Sequence, residues 1–136
     1  YCDHGSFDSH AGQAPLHAGL WTAVTEGLDA FMTDLRQHNA ADNVIVLMFS
    51  EFGRRVRDNG SGTDHGAAGA TFVLGDKVKG GHYGEYPSLD ANKLVQGDLN
   101  PSMDFRSIYS TILDKWLSLN PAPIVNGTYE KPAFLH

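Results

Sequence analysis

Three short polar segments hold most of the residues in this sequence that could do chemistry. Asp3-His4 runs on to Asp8-Ser9-His10. Ser50-Glu51-Phe52-Gly53-Arg54-Arg55 follows the longest apolar run of the chain, and Gly62-Thr63-Asp64-His65-Gly66 precedes another. Carboxylates mixed with imidazoles are the ligand set of Zn²⁺, Mn²⁺ or Fe, whereas Ca²⁺ takes an all-oxygen shell. Seven His and 15 Gly are many for 136 residues, and several of each fall in these polar segments, the pattern of a site built on loops. Each segment also has a plainer reading. Asp and His before a helix cap and turn the chain, Glu51 can cap the segment after a strand, and Asp64-His65 between glycines can be a turn. Arg54, Arg55 and Arg57 can form a solvated basic face. His17 and His38 read as surface residues of a helix, and His82 and His136 have no partner motif.

The elements that would position these residues come from periodicity. Leu16, Leu20, Val24, Leu28, Phe31 and Leu35 recur at helical spacing, which predicts one long helix over 15–38 with Pro15 in its first turn. Val44 to Phe49 is apolar and β-branched without alternation, as in a strand covered on both faces within a parallel sheet. The polar stretch 50–69 reads as a loop broken only by Phe52 to Val56. Ala70 to Leu74 reads as a strand, 76–103 as a surface excursion, and Asp104 as the N-cap of a second helix running to about Leu119, where Pro121 and Pro123 follow. The tail is expected to be irregular. If residues near Tyr1 end a strand, the first helix is a crossover to a parallel neighbour, and the first two polar segments lie at the strand ends where open α/β sheets hold ligands. His65 reaches that edge only if the strand at 70–74 runs antiparallel. A central strand needs neighbours on both sides, so more sheet is expected upstream or in a partner.

The length is that of one domain, and 41% hydrophobic residues can supply a core. A formal charge of −6 argues against nucleic acid or an anionic membrane as partner. No apolar run approaches the roughly 18 residues of a membrane span. Cys2 is the only cysteine, so no internal disulfide forms. Tyr1 stands where an initiator Met would, and the chain is expected to be a fragment whose beginning is missing.

Phe7-Asp8-Ser9-His10 with Gln13, Ser50-Glu51-Phe52-Gly53-Arg54-Arg55, Gly62-Thr63-Asp64-His65-Gly66, Gly80-Gly81 and Asp104-Phe105-Arg106 closely resemble the C-terminal part of the bacterial Domain of Unknown Function 1501 family. The family looks like a member of the alkaline phosphatase and sulfatase superfamily. The resemblance implies part of a three-layer α/β sandwich: a mostly parallel sheet with one antiparallel strand (70–75), helices on both faces, and residues 1–136 as the C-terminal part of a single domain lacking its N-terminal half. It makes Asp8, His10 and His65 candidate ligands of one divalent metal and Glu51 of a second, with Zn²⁺ or Mn²⁺ placed before Ca²⁺ or Fe. Thr63-Asp64-His65 is similar to the Thr-Asp-His segment of phosphopentomutases. Where relatives carry an Asp-His pair, this chain has Glu51-Phe52, so one imidazole ligand of the second metal is lost.

The implied function is metal-dependent hydrolysis of phosphate or sulfate esters, of a small molecule or a saccharide, with the nucleophile in the absent N-terminal half. Arg54 or Arg55 would bind the transferring oxyanion, since a guanidinium fork matches it. The alternative is a noncatalytic exported protein with a structural metal, or a polyanion- or sugar-binding role, which the loss of His at Phe52 favours. Relatives commonly carry a twin-arginine export signal, which implies a periplasmic or extracellular location.

Overall fold

The computed structural model describes all 136 residues, Tyr1–His136. The apolar face from Leu16 to Leu35 forms one long helix, α1 (Gln13–Gln37). Gly12 leads into it at φ 58°, a left-handed conformation that glycine adopts without a Cβ clash. Leu20, Val24, Leu28 and Leu35 are half-buried and Met32 is buried, while Leu16 and Phe31 remain exposed. In the last turn Arg36 donates to Asp76, with Nη2 2.7 Å from Oδ1, which ties the end of α1 to a segment 40 residues further along the chain. No helix is long and apolar enough to cross a membrane.

A 3-10 turn (Ala41–Asn43) precedes β1 (Val46–Met48), which pairs antiparallel with β4 (Phe72–Leu74) so that Val46 faces Leu74 and Met48 faces Phe72. Between them, β2 (Gly53–Asp58) and β3 (Thr63–Gly66) make a second antiparallel pair. Asn59-Gly60 turns this hairpin: the Asn59 N–H donates to the Gly62 carbonyl at 2.9 Å, and Gly60 takes φ 97°. The register shifts between Arg54 and Asp58, a bulge of the kind that re-aims side chains. Gly53 is buried, and the close approach of the Ala68 carbonyl leaves no room for a Cβ there.

The fold is therefore α/β with two small antiparallel sheets, and the expected parallel three-layer sandwich is wrong. Residues 1–9 form no strand, so α1 is no crossover between parallel strands. Val44 to Phe49 contributes only a three-residue strand with one neighbour. An apolar run reads the same whether sheet or loops and helices cover it, which is why the sequence suggested the wrong neighbours. The segment 50–69, expected to be mostly loop, holds the hairpin instead. Its short turn brings β2 to β3 at little entropic cost, so β2 pairs locally. His65 accordingly lies on β3 and not at the start of the strand that pairs with β1.

Asp104 does cap the second helix, α2 (Phe105–Thr111), its Oδ1 accepting from the Arg106 N–H at 2.9 Å. The helix continues into a π-helical turn (Ile112–Trp116), and the tail contains α3 (Ala122–Val125). The most buried residues gather here: Ser107, Ser110 and Thr111 on α2, with Val125, Phe134 and Leu135. The Thr111 hydroxyl lies within hydrogen-bonding distance of the Ser107 and Pro132 carbonyls, at 3.1 and 3.3 Å. Elsewhere burial is thin. The accessible surface is 9307 Å², against about 7,000 Å² for a compact monomer of this mass. Phe49, Phe72, Phe105, Leu117 and Ile124 are among the exposed apolar side chains.

Candidate metal centre

The loop before α1 and the β2–β3 hairpin are held together by backbone and side-chain ties around the start of α1. The Gly12 N–H donates to Ser61 Oγ at 2.8 Å and the Gln13 N–H to the Ser61 carbonyl at 3.2 Å. Thr63 Oγ1 donates to Gln13 Oε1 at 2.9 Å, and Gln13 Nε2 to the Ser9 carbonyl at 3.1 Å. Gly62 makes this approach possible: a Cβ on it would stand 2.9 Å from the His10 carbonyl oxygen and 3.0 Å from Gln13 Cβ.

These ties bring Asp8 and His10 from the loop against His65 of β3. Asp8 Oδ1 lies 2.7 Å from His65 Nε2 and 3.1 Å from His10 Nε2, and the two imidazole nitrogens are 3.1 Å apart. One carboxylate oxygen and two imidazole nitrogens thus surround a single point, a grouping able to hold a metal ion. Ligands at about 2.05 Å from a tetrahedral centre lie about 3.3 Å from one another, so to accept Zn²⁺ the two pairs at 3.1 Å need to spread by about 0.2 Å and the Asp8–His65 pair at 2.7 Å by about 0.6 Å. All three residues are exposed, which leaves the remaining side open to solvent. The hydrogen bond from His65 holds the Asp8 carboxyl below the usual carboxylate range; the charges of His65 and His10 act the same way, and desolvation opposes them.

Further residues support the cluster. His10 Nδ1 lies 3.3 Å from Asp64 Oδ1. Asn59 Nδ2 donates to the same Asp64 oxygen and to the His10 carbonyl, each at 3.0 Å. The Asp64 carboxyl is lowered first by its bond from Asn59 and then by His10. Phe52 stacks on His65 with ring centroids 3.6 Å apart and planes at 11°, and the Arg54 guanidinium sits 5.2 Å from the Phe52 ring centroid. Arg54 Nη1 donates to the Thr63 carbonyl at 2.7 Å and Nη2 to the Phe7 carbonyl at 2.6 Å, while Nη2 is 3.9 Å from Asp8 Oδ1. Arg54 therefore braces the two segments that carry the ligands.

Of the residues singled out from sequence, Asp8, His10 and His65 meet. Glu51 stands outside their cluster, exposed on the bend before β2. Arg54 flanks it. Arg55, next along the strand, turns to Asp98 with Nε 3.4 Å from Oδ1. Asp64, Asn59 and Phe52 are the residues whose supporting roles sequence reasoning missed. Asn59-Gly60 carried a turn signal, but nothing in it marked the Asn59 side chain as the clamp on Asp64.

Fold and site together define a small antiparallel α/β protein with a surface cluster of one Asp and two His able to ligate a metal. The chain belongs to the family described as protein of unknown function (DUF1501), whose family model matches residues 1–124 and so spans all three polar segments. No curated protein and no solved structure matches it.

Proposed function

We propose that these residues form the metal centre of a metal-dependent hydrolase acting on phosphate or sulfate esters of a small molecule or a saccharide. The observation that supports this is the arrangement of Asp8, His10 and His65: three N/O ligand atoms around one point, with the remaining side open. Structural zinc sites are closed by four protein ligands, whereas catalytic ones keep a position for water or substrate. A bound Zn²⁺ or Mn²⁺ would polarise an ester oxygen and lower the pKa of a bound water. Asp8, held ionised by its imidazole neighbours, supplies the negative ligand. Arg54 keeps guanidinium N–H groups beyond the two committed to carbonyls, enough to meet an oxyanion. Arg55 would first have to leave Asp98.

Kinship to the alkaline phosphatase and sulfatase superfamily, with these residues as a C-terminal part, belongs to the same proposal and rests on the order of the motifs, not on the sheet. The nucleophile then comes from polypeptide outside these 136 residues, and the protein acts in the periplasm or outside the cell. Glu51 would serve a second metal. One observation favours a noncatalytic second reading: Phe52, at the position of the expected second-site imidazole, is stacked on His65.

The test is turnover of an aryl phosphate and an aryl sulfate by the full-length protein with Zn²⁺ or Mn²⁺. The proposal expects metal-dependent hydrolysis of one of them that falls at least about 100-fold in His65→Ala. Metal binding without turnover of either ester would support the noncatalytic reading, and turnover indifferent to His65→Ala would remove this site from the chemistry.

A further inference from the structure

His10 is the histidine of the cluster with a polar partner at both ring nitrogens. Its Nε2 faces Asp8 and His65, and its Nδ1 faces Asp64 Oδ1 at 3.3 Å. We infer that Asp64 is a positioning residue: it fixes His10 in the tautomer with the proton on Nδ1, and so turns the Nε2 lone pair into the cluster.

The argument begins at the turn. Asn59 Oδ1 accepts from the Ser61 N–H at 3.1 Å and from the Gly62 N–H at 2.9 Å. Those two donors settle which end of the amide is oxygen, since the amide nitrogen cannot accept from them. Asn59 Nδ2 therefore points the other way, at the His10 carbonyl and at Asp64 Oδ1. With its oxygen anchored by Asn59, Asp64 meets Nδ1 as an ionised carboxylate, which only accepts hydrogen bonds. A neutral His10 satisfies it only by carrying its proton on Nδ1, and Nε2 is then left with a bare lone pair. That lone pair faces another acceptor, Asp8 Oδ1, at 3.1 Å. Two acceptors at that distance are favourable only with a proton from His65 or a cation between them. A carboxylate behind a ligating imidazole is also how metal sites orient and strengthen a histidine ligand. Asp64 and His10 are 54 residues apart, so the hairpin and the α1 loop must both be in place for the pair to form.

This inference takes its purpose from the metal reading above, but the tautomer belongs to the metal-free chain and is measured there. The full-length protein is labelled with ¹⁵N-histidine and stripped of metal, and the ring nitrogens are observed at about pH 8, above the ordinary imidazole range. His10→Gln identifies the His10 signals by their loss. The wild type should show His10 protonated on Nδ1 and bare on Nε2. Asp64→Ala should move the proton to Nε2, and Asp64→Asn, which keeps an acceptor oxygen, should largely restore Nδ1–H. Zn²⁺ affinity should fall about tenfold or more in Asp64→Ala and less in Asp64→Asn. A wild-type ring with Nε2–H, a tautomer indifferent to Asp64→Ala, or a changed tautomer with unchanged Zn²⁺ affinity would each overturn the inference. If the wild type binds no Zn²⁺, the metal reading fails, and the ring signals alone decide the role of Asp64.

Discussion

Gly62→Ala tests whether the close seating of the hairpin on the α1 loop sets the geometry of the cluster. The new Cβ would stand 2.9 Å from the His10 carbonyl oxygen and 3.0 Å from Gln13 Cβ, where about 3.4 Å is an ordinary contact. Relief therefore requires His10 and the turn to separate by up to about half an ångström. The Gly62 backbone is not left-handed, so the substitution carries no φ penalty of its own. Overpacking of this size costs about 1–3 kcal/mol of stability. The same movement displaces the His10 ring relative to His65, and because metal–ligand distances in a bound site hold to within about 0.2 Å, part of the binding energy must go into bringing the ring back. Zn²⁺ affinity should therefore fall about tenfold or more, which corresponds to about 1.4 kcal/mol. Thermal unfolding of the metal-free protein and calorimetric titration with Zn²⁺ give the two numbers. Lost stability with unchanged affinity would refute the reasoning, because it would mean that the seating holds the hairpin without setting the ligand distances.

Three more substitutions probe the neighbouring features. Phe52→Ala removes the ring stacked on His65 at 3.6 Å and should weaken Zn²⁺ binding, by less than the roughly tenfold that loss of a hydrogen-bonded orienting partner costs; equal affinity in a calorimetric comparison would make the stack incidental. Glu51→Gln, at an exposed position outside the cluster, should leave the first metal bound and the metal-free stability within about 1 kcal/mol while turnover falls, as judged by metal content and ester assay. Asp104 is held at about 2, down from an ordinary 3.8, mainly by the side-chain hydrogen bonds of Arg106 and then by its backbone N–H. A depressed carboxylate stabilises the folded chain above its unfolded pKa and loses that contribution as pH falls through its folded one. The melting temperature of Asp104→Asn should accordingly lie below that of the wild type at neutral pH and converge with it between about pH 4 and pH 2; a constant gap would contradict the linkage.

The long apolar stripe of α1 and the Asp104 cap were legible because each rests on local rules, helical spacing in one case and a side chain bonding a nearby N–H in the other. Of the sheets, only the antiparallel direction of the strand at 70–74 was expected, and β4 does pair antiparallel with β1. Val44 to Phe49 shows no alternation, and such a run cannot say which strand lies beside it or in which direction. The β2–β3 hairpin hid for the opposite reason: Arg54, Arg55, Arg57 and Asp58 are polar on both faces of the strand, so period-two patterning is missing and the turn chemistry of Asn59-Gly60 is the only local sign. The meeting of Asp8, His10 and His65 was expected from motif resemblance, through a parallel sheet edge. The chain achieves it differently, by seating a hairpin turn on the start of a helix through Gly62, Ser61 and Gln13. Asp64 remained ambiguous because its partner, His10, is 54 residues away, and a pairing between two loops leaves no periodic trace.

The central claim is that Asp8, His10 and His65 hold one divalent metal, and X-ray absorption at the zinc edge on protein loaded with one equivalent of Zn²⁺ tests it most directly. The account predicts nitrogen and oxygen ligands at about 2.0–2.1 Å with the outer-shell scattering of two imidazoles, one of which disappears in His10→Ala and the other in His65→Ala. A spectrum of hydrated zinc in the wild type, or an imidazole signature that survives removal of both histidines, would contradict it.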